Sequence, residues 1–160
     1  MAKGRRVVVT GLGTVSPVGN TVAEAWAAIT AGRSGIGALP AFQDSELAVK
    51  FGGLVRDFDP TRWIPSKDVK KMDPFIHYAI AAADEALADS GLATASIDPE
   101  RIGVAIGAGI GGIGGIEKTT EAYLSGGPRK ISPFFIPSTI VNMASGQVAI
   151  RHGFKGPNIA

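Results

Sequence analysis

The sequence predicts an α/β fold with a largely parallel sheet buried on both faces. Three observations predict it. Short apolar, β-branched runs alternate along the chain with longer stretches of helical periodicity. Two of the runs close on glycine, Val7-Val8-Val9 at Thr10-Gly11 and Ile102–Ile106 at Gly107, which marks strands ending in tight turns. Hydrophobic residues make up 45% of the 160 residues and charged residues 19%, a balance that suits a buried core in one ordinary domain.

Arg5 to Thr10 reads as a buried strand. Asn20 or Thr21 opens a helix, because Thr21-x-x-Glu24 fits the capping box, in which hydroxyl and carboxylate satisfy orphan backbone amides. Trp26 and Ile29 form its predicted apolar face, and Gly32 ends it. From Arg33 to Lys71 the pattern loosens. Val49 to Val55 reads as an edge strand, and Asp59-Pro60 and Ile64-Pro65 are turn signals. Asp73-Pro74 starts a helix, with a carboxylate cap followed by proline at the first helical position. Ile76, Ile80, Ala83 and Leu87 recur at helical spacing, and Gly91 stops it. Ile102 to Ile106 is a second buried strand. A glycine-rich turn, Gly107 to Gly115, leads into a helix through about Leu124. Ser138 or Thr139 caps a last helix through Ile150, with Ile140, Val141, Ala144 and Val148 facing inward and Gly153 closing it. Pro157 to Ala160 begins a third strand.

Composition excludes several classes. The net charge of +2 is too small to argue for nucleic acid. With no cysteine, these residues hold no disulfide, no thiolate-ligated zinc and no thiol nucleophile. The two histidines stand apart from any close His/Asp/Glu cluster, so no metal site is expected. No apolar run approaches the roughly 20 residues of a membrane span. The basic start Met1–Arg6 is followed by only a short apolar run, so it is no signal peptide. A bacterial-type cytoplasmic protein is the expectation.

Two glycine clusters invite cofactor readings. Gly11-Leu12-Gly13-Thr14-Val15-Ser16 follows a strand and precedes a helix, but Ser16 stands where the dinucleotide fingerprint needs its third glycine, and Pro17 follows. A structural turn is the better reading, with a dinucleotide-binding domain as a distant alternative. Gly107 to Gly115 lacks the Gly-Lys-Ser/Thr of a phosphate loop, so its backbone passes close to something else. His77, between Ile76 and Tyr78, and His152, at a helix carboxyl end where positive charge is favoured, are read as structural.

The segment from Gly126-Gly127-Pro128-Arg129-Lys130-Ile131-Ser132-Pro133-Phe134-Phe135-Ile136-Pro137-Ser138 through Asn142-Met143-Ala144-Ser145-Gly146-Gln147, with Gly156-Pro157-Asn158 after it, resembles the β-ketoacyl-acyl-carrier-protein synthases of fatty-acid synthesis, the type II elongating enzymes in particular. The likeness runs over essentially the whole chain, including the Thr10-Gly11-Leu12-Gly13 turn. It implies the amino-terminal half of a thiolase-like layered α-β-α-β-α fold. In that family the strand begun by Gly-Pro-Asn continues to a nucleophilic cysteine, so residues 1–160 are expected to end just before the nucleophile, with the carboxyl-terminal half and its two catalytic histidines absent. No catalytic role is transferred to His77 or His152.

The resemblance implies decarboxylative Claisen condensation of acyl- and malonyl-loaded acyl carrier protein for the parent, with no cofactor beyond the phosphopantetheine that the carrier brings. The expected form is a homodimer without nucleic-acid or membrane partners. Ile110 matches the residue that lines and gates the acyl pocket, and one branched side chain among small residues suits a movable plug in an apolar tunnel. Phe135 matches a residue that reaches across the dimer interface to close the partner's acyl pocket. Two adjacent aromatics are otherwise ordinary packing. Lys67, Lys70, Lys71, Arg129 and Lys130 match the carrier-docking positions. Their ordinary reading is a solvated face, but Asp68 is the only acid within either patch, and an acidic carrier would be steered by them. The alternative from another class is a non-catalytic chain-length subunit of a condensing heterodimer.

Overall fold

A computed structural model describes residues 4–92 and 95–160. The chain divides into two compact units. One comprises the segment up to Arg56 with Asp84–Leu92, and the other comprises Asp57–Ala83 with Ser96–Ala160.

In the first unit, α1 (Val22–Thr30) begins where the capping box predicts. Thr21 Oγ1 accepts from the Glu24 N–H at 3.2 Å. The Glu24 carboxylate reaches one residue further back than the motif implies, accepting from the Asn20 N–H at 2.8 Å. The helix closes in a Schellman turn: Gly32, at φ +67°, donates to the Ile29 carbonyl, and Arg33 donates to that of Ala28. The buried face is not the predicted one. Ala25 and Ala28 face inward, while Trp26 is 66% and Ile29 59% exposed. Ala25 and Ala28, three residues apart, share one helix face, and it is this small-residue face that is buried.

β1 (Ile36–Ala38) pairs antiparallel with β2 (Phe51–Gly53), Ile36 opposite Gly53 and Ala38 opposite Phe51. β2 lies inside the predicted Val49–Val55 strand. β1 was not expected, because Ile36-Gly37-Ala38 carries too little alternation to signal a strand. The Arg5–Thr10 strand does not form: the segment takes no regular secondary structure, and Val7 is 94% exposed. A β-branched run becomes a strand only when another strand supplies hydrogen bonds, and among the described residues none pairs with it.

α3 (Pro74–Ser90) contributes its first part, through Ala83, to the second unit and its remainder to the first. The remainder holds the Gly11–Gly19 turn. Glu85 accepts from the Thr14 N–H at 2.9 Å with one oxygen and from the Val22 N–H at 2.8 Å with the other. Asp89 accepts from the Leu12 N–H at 2.9 Å. Gly11 lies directly on the helix, where a Cβ would stand 2.6 Å from the Ser90 nitrogen. Glycine is required there by close approach.

The second unit has its core at Ile64, Ile76, Ile80, Val104 and Val148, with Trp63, Met72, Phe75, Met143 and Phe154 packed around them. Each fully buried aliphatic of this size contributes about 1.5–3 kcal/mol. Phe58 stacks on Trp63 at 5.2 Å and meets Tyr78 edge-on at 5.0 Å, closing one side. β3 (Val104–Ala105) and β4 (Asn158–Ile159) form the expected parallel pair, extended by the Ile106 N–H donating to the Ile159 carbonyl at 3.1 Å. Between them lie α4 (Ile113–Gly126), α5 (Phe135–Thr139) and α6 (Met143–His152), a crossover of the α/β kind. The Asn158 side chain locks β4 to α6: its Oδ1 accepts from Ser145 Oγ at 2.9 Å and its Nδ2 donates to the Ser145 carbonyl at 3.0 Å.

The predicted last helix is two helices. Ser138 and Thr139 end α5 rather than cap α6, because their hydroxyls turn back to donate to the Phe135 carbonyl at 2.8 and 2.9 Å. Ile140 then adopts extended backbone, ψ 139°, and breaks the run. In consequence Ile140 and Val141, expected inward, are exposed, while Ala144 and Val148 are buried as expected.

His77 is buried on α3, and its Nε2 donates to the Val69 carbonyl at 3.1 Å. Burial pushes the imidazole below its ordinary 6.5, against smaller opposing effects of the Val69 carbonyl and Asp73. The unfolded chain therefore takes up the proton first. The contribution of neutral His77 to stability is complete above about pH 6.5 and is lost as pH falls from there through the folded value. Urea midpoints of the protein between pH 7.5 and 5 should fall more steeply than those of His77→Gln, which has no titration there. Equal slopes would show that His77 does not drive the acid loss.

Candidate functional site

The glycine-rich segment leaves β3 at Ile106 and enters α4 at Ile113. Its far end is pinned. The Gly112 N–H donates to the Thr139 carbonyl at 2.9 Å, and Asp73 Oδ2 accepts from the Gly115 N–H at 3.1 Å. A Cβ on Gly112 would stand 2.8 Å from Thr139 Cα and 3.0 Å from Asp73 Cβ, so only glycine fits. Gly111 carries φ +77° and presses on the Thr139 carbonyl. Gly107 and Gly109 have open space around them. Ile110, at the end of this open arc, is 64% exposed.

Phe135 opens α5 and is half-buried. A short relay joins it to the glycine-rich segment. The Thr139 hydroxyl donates to the Phe135 carbonyl, and the Thr139 carbonyl receives the Gly112 amide two residues after Ile110. Thr139 of α5 thus links the Phe135 carbonyl to the Gly112 amide, which is fixed, while Ile110 lies on the open side of it.

The basic candidates separate by environment. Lys67 sits in α2 (Ser66–Val69) and is exposed, as is Lys70 just after it. Lys71 is engaged: its Nζ donates to Asp68 at 2.6 Å and stands 5.3 Å over the Phe134 ring. That ammonium holds the Asp68 carboxyl below the usual range. Arg129 and Lys130 lie exposed in the 3-10 turn Pro128–Lys130 between α4 and α5. An open cleft brings Lys70 and Lys118 together with Met72, Asp73, Pro74, Gly115 and Ser138.

Sequence reasoning missed three of these participants. Asp73 was read only as a helix cap, yet its carboxylate reaches across to α4. Thr139 was read as the cap of the following helix. Lys118 was not singled out, because an isolated lysine on a polar helix face carries no signal of its own.

The arrangement supplies one exposed branched side chain, Ile110, on a partly open loop, two consecutive phenylalanines and two groups of cationic side chains. Among the described residues no cluster of three or more His, Cys, Asp or Glu side chains could hold a metal ion. The Gly11–Gly19 turn is unsuited to a dinucleotide. The Leu12, Thr14 and Val22 amides already serve carboxylates of α3, and a pyrophosphate there would face Glu85 and Asp89. No helix among the described residues is long and apolar enough to cross a membrane.

Residues 4–160 match the family described as β-ketoacyl synthase, N-terminal domain. The chain is 53% identical over 156 residues to 3-oxoacyl-[acyl-carrier-protein] synthase 2 of Vibrio harveyi, covering 98% of this chain and 38% of that protein. It therefore spans about two fifths of the length of such curated relatives. Among solved structures, the ishigamide ketosynthase/chain length factor superimposes with a TM-score of 0.82 at 30% identity, over 97% of this chain and 38% of that one. A type II polyketide synthase acyl-carrier protein in complex with its ketosynthase, bound to the hexaketide, matches with a TM-score of 0.72 at 26% identity, over 92% of this chain and 39% of that one.

Proposed function

The chain belongs to the β-ketoacyl synthase family, as its amino-terminal domain, and from that membership we propose that it is the amino-terminal half of a 3-oxoacyl-acyl-carrier-protein synthase of fatty-acid elongation. The observation that carries the reading is the 53% identity over 98% of the chain to a 3-oxoacyl-[acyl-carrier-protein] synthase 2. A non-catalytic chain-length subunit is the second reading.

In this reading a cysteine thiolate outside residues 1–160 takes the acyl group from its carrier thioester and releases the carrier thiol. Malonyl-carrier then loses carbon dioxide. The electron pair of the broken C–C bond attacks the acyl-enzyme carbonyl, and collapse of the tetrahedral oxyanion expels the enzyme thiolate. The product is a 3-oxoacyl-carrier two carbons longer. The segment described here contributes surfaces rather than reacting groups. Ile110 lines the deep end of the acyl pocket. Phe135 closes a pocket across a homodimer interface. Lys67, Lys70, Lys71, Arg129 and Lys130 receive an acidic acyl carrier protein, a partner class supported by the carrier-bound ketosynthase among the structural neighbours. No cofactor is needed beyond the carrier's phosphopantetheine, and the protein works in the cytoplasm.

The test is a condensation assay with acyl- and malonyl-loaded carrier. The full-length gene product should release carbon dioxide and form 3-oxoacyl-carrier, and residues 1–160 alone should form none above the no-enzyme blank. A full-length product that binds carrier but never condenses would favour the chain-length subunit, and product from residues 1–160 would overturn the assignment of the nucleophile.

A further inference from the structure

The glycine-rich segment is held at two places and open between them. Its start is fixed by Ile106, whose N–H joins the β3–β4 ladder. Its end is fixed by contacts of two kinds. Thr139 receives the Gly112 amide, and the Asp73 carboxylate receives the Gly115 amide in the first turn of α4, where a negative charge also meets the positive end of the helix. Both posts are firm. Thr139 is buried, and Asp73 directly precedes α3, whose Ile76 is 0% exposed in the core. Among the described residues, the arc between, Gly107 to Ile110, shows no such hydrogen bond, and nothing lies within 4 Å of where a Cβ on Gly107 or Gly109 would stand. Gly111, at φ +77°, joins the free arc to the fixed turn.

We infer that Asp73 is a positioning residue for acyl-chain-length selectivity: by anchoring the first turn of α4 it makes Gly111 the hinge about which Ile110 moves. The inference rests on the reading of Ile110 as the plug of the acyl pocket. With both posts in place, a long chain must displace Ile110 against a turn that cannot follow. Without Asp73, only the Gly112–Thr139 hydrogen bond holds that turn, so α4 yields more readily beyond Gly112 and the deep pocket opens more readily. A short chain never reaches the plug and is indifferent to the anchor.

The experiment uses the full-length enzyme with Asp73→Ala, Asp73→Asn, Asp73→Ser and Ile110→Phe. Acylation rate is measured against acyl chain length, together with amide hydrogen exchange over residues 107–116. Asp73→Ala should raise the ratio of long- to short-chain acylation by about 2- to 10-fold, the equivalent of one hydrogen bond, and speed exchange at Gly115. Asp73→Asn keeps an acceptor oxygen and should restore most of the parent ratio. Asp73→Ser keeps a hydroxyl that can cap α3 but is too short to reach Gly115, so it should follow Asp73→Ala, and it serves as the anchor-free variant if Asp73→Ala does not fold. An unchanged ratio in the anchor-free variants, or all chain lengths falling together, overturns the inference. If Ile110→Phe is length-selective while these variants are not, the anchor alone fails. If Ile110→Phe slows all lengths alike, the acyl-pocket reading fails first, and the anchor with it.

Discussion

Ile110→Phe in the full-length enzyme is expected to slow acylation by long acyl chains while sparing short ones. The substitution adds bulk on the one branched side chain of the open arc, at the end of a stretch where Gly107 and Gly109 leave space. Overfilling an apolar site costs about 1–3 kcal/mol, equivalent to about 5- to 150-fold in rate. That cost falls only on a chain that has to occupy the same volume. Gly111 and Gly112 lie against Thr139, which limits how far the turn can retreat, and in the proposed reading the added bulk then projects into the acyl pocket. Acylation rate against chain length is the measurement. A uniform slowing, or none, would return Ile110 to ordinary packing.

Reversing charge at Lys67, Lys70, Lys71, Arg129 and Lys130 is expected to weaken carrier binding by about 10- to 100-fold at low ionic strength, the scale of electrostatic steering. Surface charges act mainly on association rate, and salt screens them over about 8–10 Å. Parent affinity should therefore fall with added salt, while the variant should be weaker and less salt-sensitive. The five positions are not equivalent. Lys71 is shared with Asp68 and the Phe134 ring, whereas the other four are exposed. The fourfold variant that leaves Lys71 intact should reproduce most of the effect. Carrier binding unchanged in the fivefold variant would make these residues an ordinary solvated face.

Much of the second unit was legible in the sequence because its signals are local. Asp73-Pro74 with Ile76 and Ile80 defined α3, Gly153 ended α6, and the apolar runs at Ile102 and Pro157 became a parallel pair. The errors came where a neighbour decides. Trp26 and Ile29 fit an apolar face by periodicity, but Ala25 and Ala28 are the residues buried. Ser138 and Thr139 have the side chains of helix caps, yet their hydroxyls bond backward to Phe135 and finish a helix instead. Arg5–Thr10 has strand composition, but among the described residues no strand pairs with it.

The sequence by itself determined the class of the fold through periodicity and helix caps, which are properties of neighbours along the chain, and the family through the resemblance of its motifs, which also named the candidate residues. Only the tertiary structure decided how those residues act on one another. Asp73 and Gly115 are 42 positions apart, and no local pattern announces that a helix-start carboxylate will serve another helix. Lys71 and Lys70 are adjacent, yet one is bound to Asp68 and the other faces a cleft with Lys118. Glu85 and Asp89 look like two unremarked acids on a helix, and they fill the amides of a turn that reads as a cofactor loop. Hydrogen bonds and charges are satisfied by whatever the fold brings within about 3 Å, and that proximity is set by packing rather than by order along the chain.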